Sequence, residues 1–127
     1  MLVKKYSLQQ HGDERGQLVA FEEMKDIPFR IKRVYYMFDV HEGVKRAKHS
    51  HKKADQLLVC LHGSVKIELD DGDEKELVVL DNPDEGLYLE HNIWREMSDF
   101  EEGTVLMAFV SEYSDDDDYV GYEYKRG

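Results

Sequence analysis

A hairpin signal in the middle of the chain constrains the fold more than any other feature of the sequence. Residues 64–69 alternate between apolar and polar side chains, Asp70-Asp71-Gly72-Asp73 follows, and a second apolar-rich segment covers residues 76–80. An Asp-Gly pair supplies the positive φ angles of a tight turn between antiparallel strands. We therefore predict two neighbouring strands joined at this turn.

Further strands are predicted on both sides of the hairpin. The segment over residues 31–40 has apolar and aromatic side chains at both parities, so we expect a strand with much of both faces covered. Residues 92–97 are predicted to form a loop. Many short strands without an amphipathic helix favour an all-β sandwich or barrel. The other predicted strands cover residues 2–8, 17–22, 56–61, 87–90 and 104–110.

Length and charge limit the possible functions. A chain of 127 residues suggests one domain over residues 1–127, and a net charge of −11 disfavours binding to nucleic acid or to an anionic membrane. No apolar segment approaches the ~20 residues of a membrane span, and we expect a cytoplasmic protein.

The single cysteine, Cys60, lies in an apolar run and is interpreted as a buried structural thiol.

The chain changes character from about residue 112. The acidic run Asp115-Asp116-Asp117-Asp118 repels itself and is typical of a solvated segment. Tyrosines lie on both sides of this run: Tyr113 before it, and Tyr119, Tyr122 and Tyr124 after it. Because this segment is too aromatic for plain disorder, we expect part of the tail to pack on the barrel or on a second subunit.

The candidate site is the densest run of positive charge in this acidic chain, Lys-Arg-Ala-Lys-His-Ser-His-Lys-Lys at residues 45–53. In a strand, alternate side chains share a face, so His49 and His51 are expected to project into one pocket near Arg46 and Lys48. Imidazoles titrate near neutral pH and the cations suit a phosphate or carboxylate, which favours proton transfer on an anionic substrate. A solvated face or a structural histidine pair remains the alternative.

The spacing around the two histidines resembles the first cupin motif. Five residues separate Gly43 from His49, four separate His51 from Gln56, and six separate Gln56 from Gly63. Cupins are jelly-roll barrels that usually bind a metal through two histidines and a glutamate of this motif and a third histidine of a second motif. Here Gln56 and Met97 replace the glutamate and the third histidine. Since an amide is a poor ligand for a divalent cation, we predict a single cupin domain without a metal.

A longer set of sequence blocks extends along nearly the whole chain. The blocks are Arg15-Gly16, Ile27-Pro28-Phe29, Ile31-Lys32-Arg33-Val34-Tyr35-Tyr36, Arg46, His49-x-His51-Lys52-Lys53, Gln56-Leu57-Leu58-Val59-Cys60-Leu61, Gly86-Leu87-Tyr88, Trp94-Arg95-Glu96-Met97 and Asp118-Tyr119. Together they resemble the nucleotide-sugar 3,4-ketoisomerases, which are small metal-free cupins, up to about Tyr119. The chain departs from that family at three positions, where Ala47 replaces a customary glycine, Ser50 replaces a customary alanine and Gly121 replaces a usual arginine.

The resemblance implies conversion of a dTDP-linked 4-keto-6-deoxyglucose to the 3-keto isomer through an enediolate, without a cofactor. We expect one histidine of the pair to remove the C3 proton, with His49 favoured, and His51 to move protons between O3 and O4 or to return one to C4. The sequence does not assign the two roles. Donors to the enediolate are expected among Arg33, Tyr35, Arg46 and Lys48. The product would feed a PLP-dependent 3-aminotransferase that makes a 3-amino-3,6-dideoxy sugar.

The substrate's diphosphate is expected to bind Arg46, supported by Arg15, Lys48 and Arg33, because guanidinium groups meet phosphate oxygens in a bidentate fork. Trp94 is expected to stack on thymine or close the sugar pocket, and Arg95 to border the sugar. Surface ion pairs and rim packing are the alternative roles for these side chains.

Three other functions remain open from the sequence: a 3,5-epimerase on the same barrel, a non-catalytic sugar-binding cupin, and a metal-dependent dioxygenase or isomerase. The family also implies a homodimer, and the edge of the first predicted strand, from Leu2, is the expected pairing site.

Overall fold

The computed structural model describes residues 4–41 and 43–121, which form strands and loops and contain no α-helix. Within this part of the chain, no helix is long and apolar enough to cross a membrane. A 3-10 turn covers Asp116–Asp118. The strands are β1 (Lys4–Ser7), β2 (Gln9–Asp13), β3 (Gly16–Ala20), β4 (Arg33–Met37), β5 (Arg46–His51), β6 (Gln56–His62), β7 (Val65–Asp70), β8 (Lys75–Leu80), β9 (Glu85–Leu89), β10 (Trp94–Ser98), β11 (Val105–Val110) and β12 (Tyr119–Gly121).

The strands form two five-stranded sheets that pack against each other. The first sheet has the order β1-β9-β6-β11-β4 and the second the order β12-β5-β10-β7-β8, while β2 and β3 form a separate hairpin. Neighbouring strands are antiparallel throughout both sheets. The predicted hairpin around Gly72 is present as β7 and β8. The predicted all-β sandwich is therefore confirmed.

The main core lies between the two sheets. In β7 the inward side chains Val65, Ile67 and Leu69 are at most 1% exposed, and the residues between them include the exposed Lys66 and Glu68. This period of two is the sequence signal that predicted the strand. Burying each aliphatic side chain of this size contributes about 1.5–3 kcal/mol.

A second apolar cluster covers the outer face of the first sheet. It includes Ile27 and Phe29 from the segment before β4, together with Leu57 and Val59 of β6. Because Cys60 of β6 faces the main core, both faces of this strand are buried. The uninterrupted apolar run in β6 is explained by these two cores, and the interpretation of Cys60 as a buried thiol is confirmed.

The prediction that both faces of the strand over residues 31–40 are covered is wrong. The strand is limited to β4, and its side chains Val34 and Tyr36 are 48% and 59% exposed, followed by Phe38 at 61%. The cause is that β4 lies at the edge of the first sheet, where the second apolar cluster does not reach it.

The predicted loop over residues 92–97 is also wrong. Residues 94–98 form β10, which lies between β5 and β7 in the second sheet. Arg95 and Met97 point inward and are 0% and 1% exposed. A charged side chain at an inward position hides the period of two, and this is why the sequence pattern does not show the strand.

The acidic tail packs on the sandwich at its end. Asp115 and Asp117 are exposed, as expected for a solvated run, but Asp118 is only 7% exposed. Beyond it, β12 pairs with β5. The expectation that part of the tail packs on the barrel is confirmed for residues 118–121, and the expectation for Tyr122 and Tyr124 lies outside the described residues.

The turn between β6 and β7 requires glycine at residue 63, where φ is +82°. A Cβ there would lie 2.3 Å from Thr104 Oγ1 and 2.9 Å from Thr104 Cα. We expect Gly63→Ala to lower the free energy of unfolding by about 2–4 kcal/mol, from backbone strain plus overpacking. Urea denaturation measures this loss.

Gly72 provides the matched control, because its φ is +102° but a Cβ there would meet nothing within 4 Å. Gly72→Ala is expected to lose only about 1 kcal/mol. Equal losses in the two variants would show that contact with Thr104 is not the cause.

Candidate active site

β5 places the two candidate histidines on one face of the second sheet. The ring centroids of His49 and His51 are 4.8 Å apart and their planes are nearly perpendicular, at 85°. The two Nε2 atoms are 3.2 Å apart. Strand alternation predicts this shared face, and the spacing allows a proton to pass between the rings.

Both histidines are oriented through Nδ1. The Nδ1 atom of His49 is 2.5 Å from the Ala47 carbonyl oxygen, and that of His51 is 2.8 Å from Asp118 Oδ2. A carbonyl and a carboxylate accept hydrogen bonds, so each Nδ1 carries the donated proton. In the neutral rings, both Nε2 atoms therefore present lone pairs, which is the form in which imidazole acts as a base.

A β-bulge brings Arg46 to the same face as the histidines. His49 lies opposite Arg95 of β10, but Arg46 lies opposite Met97, so three steps along β5 match two along β10. The extra residue is accommodated at Ala47 and Lys48, whose φ angles are +75° and +49°. In a regular strand, Arg46 and His49 would point to opposite faces.

Arg95 is buried beside the histidines. Its Nη1 donates to Gln56 Oε1 at 2.7 Å and its Nη2 to the Ile93 carbonyl oxygen at 2.8 Å. Gln56 in turn donates to the Tyr35 hydroxyl at 3.4 Å. Gln56, at the position of the cupin glutamate, thus accepts a hydrogen bond from the Arg95 guanidinium. The positive charge of Arg95 disfavours binding of a metal cation here.

Within residues 4–41 and 43–121, no three His, Cys, Asp or Glu side chains form a group that could hold a metal ion. The donor set therefore does not fit the metal of other cupins. Absence of a metal remains a prediction, which elemental analysis of protein purified without chelator can test.

A cavity of about 550 Å³ opens beside the histidine pair. Five of the predicted site residues line it: Arg33, Tyr35, Arg46, His49 and Arg95. The remaining lining residues are Met37, Val44, Lys45, Ala47, Gln56 and Met97. His51 and then Asp118 lie behind His49, since they are 2% and 7% exposed. The cavity thus combines a base with positive charge, which suits an acidic carbon on an anionic substrate.

The structure does not bring the other three predicted residues to this cavity. Lys48 and Trp94 line a separate cavity of about 530 Å³ on the outer face of the second sheet, where Lys48 pairs with Glu96 at 3.9 Å. Arg15 lies in the turn between β2 and β3 and pairs with Asp13 at 2.7 Å. Alternation along β5 and β10 explains the outward positions of Lys48 and Trp94.

Comparison with known proteins identifies the family. The family described as "FdtA: WxcM-like, C-terminal" matches residues 1–126. The TDP-4-oxo-6-deoxy-alpha-D-glucose-3,4-oxoisomerase of Aneurinibacillus thermoaerophilus is 50% identical over 108 residues, which are 85% of this chain and 78% of that protein. The chain belongs to the sugar 3,4-ketoisomerase family.

Solved structures of ketoisomerases have the same fold. QdtA, a sugar 3,4-ketoisomerase from Thermoanaerobacterium thermosaccharolyticum in complex with TDP, superposes with a TM-score of 0.94 at 45% identity, over 98% of this chain and 93% of that one. The WlaRB TDP-quinovose 3,4-ketoisomerase from Campylobacter jejuni gives 0.93 at 40% identity, over 99% and 98% of the two chains. The predicted cupin-like ketoisomerase fold is confirmed.

Burial changes the pKa values of the titratable side chains in this candidate site. Burial, with a contribution from the charge of Arg95, lowers the pKa of His49 below its ordinary value and that of His51 to about 4. Burial likewise lowers the pKa of Arg95 to about 10, so its guanidinium stays charged at neutral pH. Burial opposes ionisation of Asp118, but hydrogen bonds from His51 and the Lys53 amide outweigh it and lower its pKa. The histidines are therefore available as neutral bases at neutral pH.

Because His51 is buried, the stability of the fold depends on pH. The pKa of His51 falls from 6.5 in a model peptide to about 4 in the fold, so the unfolded chain binds the proton more tightly. The stabilisation of the fold is present above about pH 6.5 and is lost as pH falls towards 4. We expect the melting temperature to drop by several degrees between pH 7 and pH 5, which corresponds to a loss on the order of 1 kcal/mol.

A His51→Asn variant should show a smaller drop, and His62→Asn serves as control because His62 is exposed and its ring bonds the Gly103 carbonyl at the surface. Parallel melting curves for wild type and His51→Asn would contradict this assignment.

Proposed function

We propose that the protein converts TDP-4-keto-6-deoxyglucose to a TDP-3-keto-6-deoxyhexose by proton transfer through an enediolate. The observation that carries the proposal is the pair of Nε2 atoms, 3.2 Å apart, beside a cavity lined by Arg33 and Arg46. The named activity of the Aneurinibacillus relative supports this substrate.

His49 acts as the base because it lines the cavity while His51 lies behind it. Its Nε2 removes the C3 proton, the C–H electron pair forms a C3=C4 double bond, and the carbonyl π pair moves to O4. His51 transfers the O3 proton to O4. The C3=O bond then forms from the O3 lone pair, and the C3=C4 π pair takes up at C4 the proton held by the His49 ring, which restores the neutral base. Atoms and charge balance without a redox cofactor, and such acid–base help is typically worth about 10²–10⁴ in rate.

The developing negative charge on the enediolate oxygen requires fixed donors. The Arg33 guanidinium lies over the Tyr35 ring, 5.2 Å from its centroid, and both side chains line the cavity. Arg33 Nε is buried and has no hydrogen-bond partner among the described residues. A buried donor without a partner costs free energy, and a substrate oxygen would remove this cost. Arg33 and Tyr35 are therefore the proposed enediolate donors.

The TDP diphosphate binds at Arg46 in this proposal. Arg46 stands at the start of β5 on the cavity side of the bulge, beside Lys45. A guanidinium can donate two parallel hydrogen bonds to phosphate oxygens, whereas the ammonium of Lys45 lies 3.9 Å from the Glu96 carboxylate. Phosphate binding at this edge would direct the sugar towards His49.

Proton NMR of the protein with TDP-4-keto-6-deoxyglucose tests the proposed function. We expect the C3 proton signal to disappear and a C4 proton signal to appear, with the C5 proton retained. A 3,5-epimerase would exchange the C5 proton, and a non-catalytic binding protein would leave the spectrum of the substrate unchanged. A PLP-dependent 3-aminotransferase added afterwards would convert the 3-ketone to an amine, and identification of the amino sugar would establish the configuration at C4.

We also propose a homodimer. Among the described residues, β1 and β4 are the edge strands of the first sheet. β4 presents the exposed side chains Val34 and Tyr36, and the exposed Phe38 follows it. Apolar side chains on an edge strand are usually covered by a partner. The predicted pairing through Leu2 lies outside the described residues. Sedimentation should give twice the 14.9 kDa chain mass, and a monomer at micromolar concentration would contradict the proposal.

A further inference from the structure

We propose that Asp118 is a positioning residue for the isomerisation, which fixes the His51 tautomer so that His51 can carry a proton between the substrate oxygens. This proposal rests on the proposed function. Asp118 is the last residue of the acidic run, and the sequence pattern assigns no role to it. Its burial distinguishes it from Asp115 and Asp117, which are exposed.

The carboxylate of Asp118 is held rigidly against the segment that follows β5. Oδ1 accepts the Lys53 amide at 2.7 Å, and the Asp118 carbonyl oxygen accepts the Lys52 amide at 2.9 Å. Oδ2 is 2.8 Å from His51 Nδ1 but 3.4 Å from the Ala54 amide. The principal partner of Oδ2 is thus the histidine, whereas a purely structural cap would need only the backbone amides.

A fixed carboxylate on Nδ1 has two consequences for His51. It requires a proton on Nδ1, which leaves the Nε2 lone pair directed at His49 Nε2, 3.2 Å away. It also places a negative charge beside the ring, which stabilises the ring when Nε2 accepts a proton. The Asp118 charge therefore raises the pKa of His51, whereas the Arg95 charge lowers it. Tyr35 and His49 are further titratable side chains of this site, beside the cations Arg33, Arg46 and Lys45. Asp118 therefore favours a transient imidazolium on His51.

In this proposal, removal of the C3 proton and transfer of the O3 proton to O4 depend on different histidines. His49 can remove the C3 proton whether or not His51 is correctly oriented, because its own Nδ1 is held by the Ala47 carbonyl. Transfer of the O3 proton to O4 needs His51. Without this transfer, the enediolate returns to the starting ketone, and its C3 position acquires hydrogen from the solvent.

The test measures both parts with TDP-4-keto-6-deoxyglucose in deuterated water. For Asp118→Asn we expect product formation to fall about 10²-fold, while deuterium incorporation at C3 of unreacted substrate falls less than 10-fold. The KM should change less than threefold, because Asp118 does not line the cavity. Asp117→Asn, at an exposed neighbouring position, should match wild type in both measurements. An equal fall in exchange and product formation, or no fall, would overturn the proposal.

A second comparison tests whether Asp118 acts through His51. The double variant Asp118→Asn with His51→Asn should be no slower than His51→Asn alone, since residues that act as a unit are not additive. A further loss in the double variant would overturn the proposal. If Asp118→Asn does not fold, nitrogen-15 NMR of wild-type histidine side chains decides instead: a proton on His51 Nδ1 supports the proposal and a proton on Nε2 alone overturns it. Wild-type protein that forms no product would instead refute the proposed function.

Discussion

His49→Asn is expected to lower kcat by about 10²–10⁴ without changing the fold. An amide is not a base at neutral pH, and His49 is the histidine that lines the cavity. Asparagine can still fill part of the ring volume at this half-buried position, so we expect a folded protein that binds TDP. Steady-state kinetics with TDP-4-keto-6-deoxyglucose give kcat, and calorimetric titration with TDP gives the affinity.

His62→Asn is the control for loss of an imidazole, because His62 is exposed at the end of β6 and does not line the cavity. It should retain wild-type kcat. A His49→Asn variant with at least one tenth of wild-type kcat and normal stability would exclude His49 as the base.

Arg46→Met is expected to raise the KM for the nucleotide sugar about 10- to 100-fold, with a smaller effect on kcat. A hydrogen bond to a charged group contributes about 1.5–3 kcal/mol, and loss of such a bond to the diphosphate weakens binding of the ground state and transition state alike. Methionine keeps most of the apolar stem, so the change isolates the guanidinium. TDP binding should weaken by a similar factor.

Lys48→Met is the matched control, since it removes a positive charge two residues away that strand alternation places on the outer face with Glu96. We expect its KM to stay within about twofold of wild type, the level of a weak, partly screened surface charge effect. A larger effect for Lys48→Met than for Arg46→Met would mean that the diphosphate binds on the outer face.

Most of the sandwich could be predicted because its strands follow simple patterns. The alternation in β7 and the Asp-Gly turn after it identify the central hairpin, and the apolar run of β6 follows from burial on both faces. β10 could not be recognised, because the inward Arg95 breaks the alternation. The exposure of Tyr36 could not be foreseen either, since it depends on how far a covering segment extends over the sheet.

Part of the candidate site could be predicted from the sequence. The shared face of His49 and His51 follows from strand alternation. The placement of Arg46 and Lys48 on opposite faces of the sheet could not be predicted in this way, because it depends on a bulge whose position is set by pairing with β10. Asp118 is 67 residues from its partner His51, and its role depends on that long-range contact. Its only local signal is the short pattern Asp-Tyr at the end of an otherwise solvated acidic run.

A crystal structure of His49→Asn with TDP-4-keto-6-deoxyglucose tests the central claim most directly. We expect the sugar in the cavity of about 550 Å³, with the diphosphate at Arg46 and O3 or O4 within hydrogen-bonding distance of His51 Nε2. The C3 carbon should face the substituted side chain at position 49 at about 3.5 Å, the spacing of a reactive pair. A sugar bound instead on the outer face beside Trp94, or one whose C3 faces away from position 49, would contradict it.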